Sequence, residues 1–189
     1  MGFCRFFVLF LTFTVTAAAE LPSQKILDRY RQMLSANPVE GTALERLWKA
    51  YSEAGQTAQL LALYRDEGTF ASEMVLGHLL RRSGQSEDAR PAYERAAKLD
   101  PRSPLPLLAL ARMDKEAGKL AAAAGLFEKA SALLPEGDPQ QPETLFEAGQ
   151  AWISGGDVTR GAAAWEKAVA HAPGNTDLRR RLADSYVVN

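Results

Sequence analysis

Four residues recur along this chain at a fixed interval. Ala89, Tyr93, Ala96 and Pro101 form a ladder that returns as Ala123, Phe127, Ala130 and Pro135, every member 34 residues further on. A third copy, Gly161, Trp165, Ala168 and Pro173, follows after another 38. Residues spaced four and then three apart share one stripe of an α-helix. Small side chains in that stripe let a neighbouring helix approach, and a ring fills the space beside them. The proline that follows cannot continue the helix. Each ladder therefore reads as the second helix of a helical hairpin. Upstream of each stands a matching first helix: Leu76-Gly77 with Leu80, Leu110-Ala111 with Asp114, Ala148-Gly149 with Trp152. Gly84, Gly118 and Gly156 follow at one offset, where a helix ends and the chain reverses.

A 34-residue period carrying these two half-patterns resembles the tetratricopeptide repeat. Asp114 departs from the pattern, since an aromatic is expected there. The likeness extends outward in weaker form. Leu44, Leu47, Trp48, Tyr51 and Gly55 fit a first helix; Leu60 and Tyr64 fit its partner, with Glu67 where a small residue belongs. Ile26, Tyr30, Met33 and Pro38 fit a lone second helix, and Leu182, Ala183 and Tyr186 a lone first helix. The resemblance covers residues 22–189 and implies an all-α fold: an α-solenoid of antiparallel helix pairs wound into a right-handed superhelix. The expected divisions are a leader at 1–19, a lone helix at 20–40, a degenerate repeat at 41–69, repeats at 70–103, 104–141 and 142–175, and a lone helix at 176–189.

Residues 1–19 stand outside this pattern. Arg5 precedes an apolar run from Phe6 to Val15, and Ala17-Ala18-Ala19 comes before Glu20. A basic start, a short apolar run and a small-residue site read as a secretory signal cleaved after Ala19. A run this short falls well below the roughly 20 residues that span a bilayer, so no stable membrane span is expected after its removal. The expected location is the periplasm or the extracellular space. The one cysteine, Cys4, would leave with the leader, which removes any disulfide or thiolate metal site. A formal net charge of −1 gives no bulk attraction to nucleic acid.

Local signals place the helix ends. Ser23, Gly41-Thr42, Ser86 and Asp157 are candidate N-caps. Ser103-Pro104 pairs a cap with proline at the first helical position. Pro91 falls just past the first turn after Ser86, which predicts a frayed or bent start. Pro135 to Pro142 is the insertion that lengthens one period to 38, and its Pro and Gly content predicts a surface loop.

Catalytic and cofactor motifs are missing. Neither His78 nor His171 has a metal-spaced partner, Gly118-Lys119 is followed by Leu120 rather than a phosphate-loop Ser or Thr, and no nucleophile elbow occurs. No enzyme activity, metal or cofactor is expected. What the family resemblance implies is a binding groove lined by first helices. Position by position, that groove takes His78, Arg81, Arg82, Arg112, Lys115, Glu143, Glu147 and Gln150, with Glu45 and Lys49 in the first hairpin. A basic middle with acidic shoulders suits an acidic peptide or a chain-terminal carboxylate. The family's Lys and Asn pair for gripping a terminal carboxylate does not stand at the matching positions. The function this reading supports is a protein- or peptide-binding scaffold of a bacterial periplasm or cell envelope. Its alternatives are the repeat portion of a larger exported protein, enzymes included, and a self-associating module.

Overall fold

The computed structural model describes residues 20–188. Among these residues the chain forms ten α-helices and no strand. The expected all-α solenoid of helix pairs is the fold observed. A lone helix, α1 (Gln24–Ala36), comes first. Four hairpins follow: α2 (Thr42–Glu53) with α3 (Thr57–Arg65), α4 (Phe70–Arg82) with α5 (Ser86–Leu99), α6 (Leu105–Glu116) with α7 (Leu120–Leu133), and α8 (Gln140–Ser154) with α9 (Val158–His171). The last helix is α10 (Thr176–Val188). The leader, its cleavage site and Cys4 lie outside the described residues.

One turn closes all four hairpins. Gly55, Gly84, Gly118 and Gly156 have φ between 68° and 91°, the left-handed region that side chains disfavour. After each, the next residue donates its N–H back to a carbonyl of the preceding helix: Gln56 to Tyr51, Gln85 to Leu80, Lys119 to Asp114 and Asp157 to Trp152, at 2.8 to 2.9 Å. This six-to-one bond satisfies a carbonyl that the helix end leaves open.

Small residues then set how close the paired helices come. A Cβ added to Gly77 would lie 2.4 Å from the ring of Tyr93. One added to Gly149 would meet the Trp165 ring at 2.4 Å and the Gly161 carbonyl at 2.7 Å. Ala111, at the same position in α6, is fully buried with Phe127 in its cluster. The core is thus a string of three clusters passed from hairpin to hairpin, as expected where each repeat buries its face against a neighbour.

Several local expectations need revising. Helix α5 starts at Ser86 and runs through Pro91 without a break, because residue 91 is exposed and the carbonyl left without an N–H can turn to water. Of the N-cap candidates, Asp157 accepts from the Arg160 N–H at 2.9 Å, and Ser103 accepts from Leu105 at 3.3 Å. Ser23 and Gly41 make no side-chain cap bond, and Ser86 lies inside its helix. The insertion is a loop only in its first part. Gln140 to Pro142 form the opening turn of α8, and Gln141 and Pro142 are buried there. Proline is accommodated in that turn because the first N–H groups of a helix have no intrahelical acceptor.

Asp114, the residue in place of an aromatic, is buried and pairs with Arg90 of the preceding helix. Glu73 is likewise buried and forms a two-pronged pair with Arg95, at 2.7 and 2.9 Å. In both, the partner arginine is partly exposed, so the carboxylate is neutralised while the cation keeps contact with water.

Candidate functional site

The first helices carry a groove of about 1140 Å³. One wall is the linker between α1 and α2, through Asn37, Val39 and Glu40. The floor is α6, with Leu105, Leu108, Ala109, Arg112, Lys115 and Glu116. Helix α4 contributes Met74 and His78, and the opening turns of α8 contribute Gln140, Glu143, Thr144 and Glu147. The groove therefore has an apolar floor with charged and polar groups around it, the usual composition of a recognition site.

Five of the eight expected residues line it: His78, Arg112, Lys115, Glu143 and Glu147. Arg81 stands behind the lining and donates to Glu116 at 2.6 and 2.8 Å and to Glu40 at 3.4 Å. Arg82 faces Glu45 of α2 at 3.9 Å. Gln150 is exposed outside the groove, as is Lys49, which pairs with Glu53.

Most of the charge expected to attract a partner is engaged within the chain. Lys115 binds Glu147 at 2.6 Å, and Arg181 of α10 binds Glu143 at 3.2 Å while lying 3.8 Å from the centre of the Phe146 ring. Together with Arg82–Glu45 and Arg81–Glu116, these pairs link α2 to α4, α4 to α6, α6 to α8 and α8 to α10. Arg112 differs from the other groove cations. It is exposed, lines the floor, and has no ion-pair partner among the described residues.

Sequence reasoning missed the linker wall. His78 is buried and holds that wall in place. Its Nε2 lies 3.3 Å from the Pro38 carbonyl, and its Nδ1 lies 2.8 Å from the Tyr93 hydroxyl and 3.2 Å from the Glu40 carboxylate. The hydrogen bond from His78 holds the Glu40 carboxyl down to about 2, and the positive charges of Arg81 and Arg82 add to this against the opposing cost of burial. Burial pushes the Tyr93 phenol far up, so it stays neutral. The only sequence signal for this was the family position of His78, which placed it in the groove but gave no hint of the linker it tethers.

Comparison with known proteins supports the same class. Residues 70–113 match the family model of the tetratricopeptide repeat. The chain is 26% identical over 172 residues to cellulose synthase 1 operon protein C of Komagataeibacter xylinus, covering 85% of this chain and 12% of that protein. It is 28% identical over 130 residues to cellulose synthase operon protein C of Pseudomonas fluorescens (strain SBW25), covering 62% and 10%. The chain thus spans only about a tenth of the length of these relatives. Among solved structures, a thermophilic TPR protein of Thermus thermophilus superimposes with a TM-score of 0.53 at 22% identity, covering 85% of this chain and 89% of that one. That likeness is one of fold. Among the described residues no helix is long and apolar enough to cross a membrane, and no cluster of three metal-ligating side chains occurs.

Proposed function

We propose that this chain is an exported, non-catalytic docking module that holds a segment of another protein in the groove over α6. The observation that carries the reading is Arg112. The other cations around the groove are tied to carboxylates of the chain itself, whereas Arg112 stands open above an apolar floor. The segment this suits puts apolar side chains on Leu105, Leu108 and Ala109 and one carboxylate on Arg112. It is anchored by a single acidic group rather than by an acidic tract. The names of the two relatives direct the search for that partner to proteins of a cellulose synthase operon.

The test is the affinity of such a segment for the purified protein, measured by calorimetry. A charge-assisted contact at Arg112 contributes about 1.5–3 kcal/mol, so Arg112→Glu should weaken binding by at least about tenfold. Unchanged affinity in that variant would remove the groove from consideration. Export is supported by the order of charge, apolar run and small residues in 1–19. The mature protein should begin at Glu20, which N-terminal sequencing of exported material will check; an intact Met1 there would end that part of the reading.

A further inference from the structure

The charge around the groove is layered. Four carboxylates line it: Glu40, Glu116, Glu143 and Glu147. Two of the cations that hold them, Arg81 and Arg181, stand outside the lining. The carboxylate is the more open partner in each pair. The Glu116 side chain is 62% exposed against 19% for Arg81, and Glu143 is 52% exposed against 36% for Arg181. Glu40 is likewise more open than Arg81, and only Glu147 and Lys115 come close to even. The bonds also leave acceptors over. Lys115 holds Glu147 by Oε2, Arg181 holds Glu143 by Oε2, and Arg81 and His78 both meet Glu40 at Oε1. The second oxygen of these three carboxylates takes no hydrogen bond among the described residues. A carboxylate offers about four acceptor sites, so each retains unused capacity toward the groove.

We propose that the segment docked on Arg112 carries lysine or arginine on both sides of its carboxylate, where the outward oxygens of the groove accept from it. The inference rests on the docking reading above and adds the partner's charge pattern. Arg112 on α6 stands between Glu40 and Glu116, which Arg81 of α4 holds, and Glu143 and Glu147 of α8. One cation, Arg81, serves two of these carboxylates. When a guest carboxylate takes Arg112, Arg81, Lys115 and Arg181 are left to serve all four, and cations of the guest complete the balance. Complementary charge of this kind selects a partner as well as attracting it. An acidic tract would set its outer carboxylates against those of the groove on either side and be turned away.

Calorimetry of the purified protein with three synthetic peptides tests this. All share a symmetric core, one aspartate between two pairs of leucines. They differ only in the flanks, which are two lysines, two glutamines or two glutamates at each end. The lysine-flanked peptide should bind about threefold to tenfold more tightly than the glutamine-flanked one, and the glutamate-flanked peptide more weakly than both. Added salt should shrink the lysine advantage by screening it. Glu143→Gln combined with Glu147→Gln should remove at least half of that advantage, with wild-type helicity by circular dichroism. The same charge change at Glu87 and Glu94, exposed on α5 and away from the groove, should leave the advantage in full. Equal affinity for the three peptides, tightest binding by the glutamate-flanked one, or an advantage unchanged in the groove variant overturns the proposal. The glutamine-flanked peptide separates it from the docking reading. If Arg112→Glu weakens that peptide and lysine flanks add nothing, only the charge pattern falls; if none of the three binds, both fall.

Discussion

The first hairpin and the last use the same turn and opposite packing. Gly55 in α2–α3 and Gly156 in α8–α9 both hold the left-handed conformation, and the same six-to-one bond follows each. Seven residues before Gly156 stands Gly149; seven before Gly55 stands Trp48. Five residues after the turn glycine stand Gly161 in the last hairpin and Leu60 in the first. The last hairpin therefore brings two glycines together and covers them with Trp165, which stacks on Phe146 at 5.0 Å and donates to its carbonyl at 2.9 Å. The first meets bulk with bulk. Glu67, where α9 has Ala168, is exposed and pairs with Arg31 of α1 instead of packing. Burial pushes the Tyr64 phenol beside this pair up to about 12. The comparison teaches that a repeat's reversal and its tightness are separate properties, set by different residues.

Four substitutions press on that difference. The largest effect is expected from Leu60→Ala, which empties a fully buried site in the hairpin that depends on large side chains. A loss of about 2–5 kcal/mol is expected by chemical denaturation. A loss below about 1 kcal/mol would mean that α2 and α3 close over the gap, and that bulk is not what holds them. Next comes Gly149→Ala, which adds one methyl group where the backbone of Gly161 blocks retreat. It should cost about 1–3 kcal/mol through overpacking. Hydrogen exchange should place the loss in α8 and α9 first, and equal loosening of α2 and α3 would contradict the nearest-neighbour picture. The smallest pair concerns the caps. Asp157→Ala removes a side-chain cap and should cost about 1 kcal/mol. Gln56→Ala, at the same place in the first hairpin, makes no cap bond to lose and should change the melting temperature little. Equal shifts from the two would erase the distinction.

The hairpins were legible in the sequence because their determinants are local and repeated. Gly84, Gly118 and Gly156 mark reversals whatever surrounds them, and the small-aromatic-small ladder has one structural reading when it recurs in phase. Asp114 was legible only as a departure. Its partner Arg90 lies on another helix, 24 residues away, and no local pattern links the two. The groove was legible in part for the same reason. Family positions named His78, Arg112, Lys115, Glu143 and Glu147, which line the groove, together with Arg81, Arg82 and Gln150, which do not, and said nothing of which charges would be taken. Arg81 and Lys115 look free in sequence, and the carboxylates that claim them, Glu116 and Glu147, come from the next first helix. The linker wall escaped because Pro38 and Glu40 reach His78 across 40 and 38 residues, through a segment with no periodicity to read.

The ion pairs that run from α2 through α10 have a mechanical consequence. Each spans one stacking interface, so the row acts as elastic links in series along the groove. Exposed pairs are individually weak, about 0–1 kcal/mol, and dissolved salt softens all of them together. The hairpins themselves, held by buried apolar side chains, do not soften in step. Ionic strength thereby acts on the charged links along the groove and leaves in place the apolar clusters that join one repeat to the next. The groove's edge therefore carries the salt-sensitive links of the array, while its apolar core is insensitive to them.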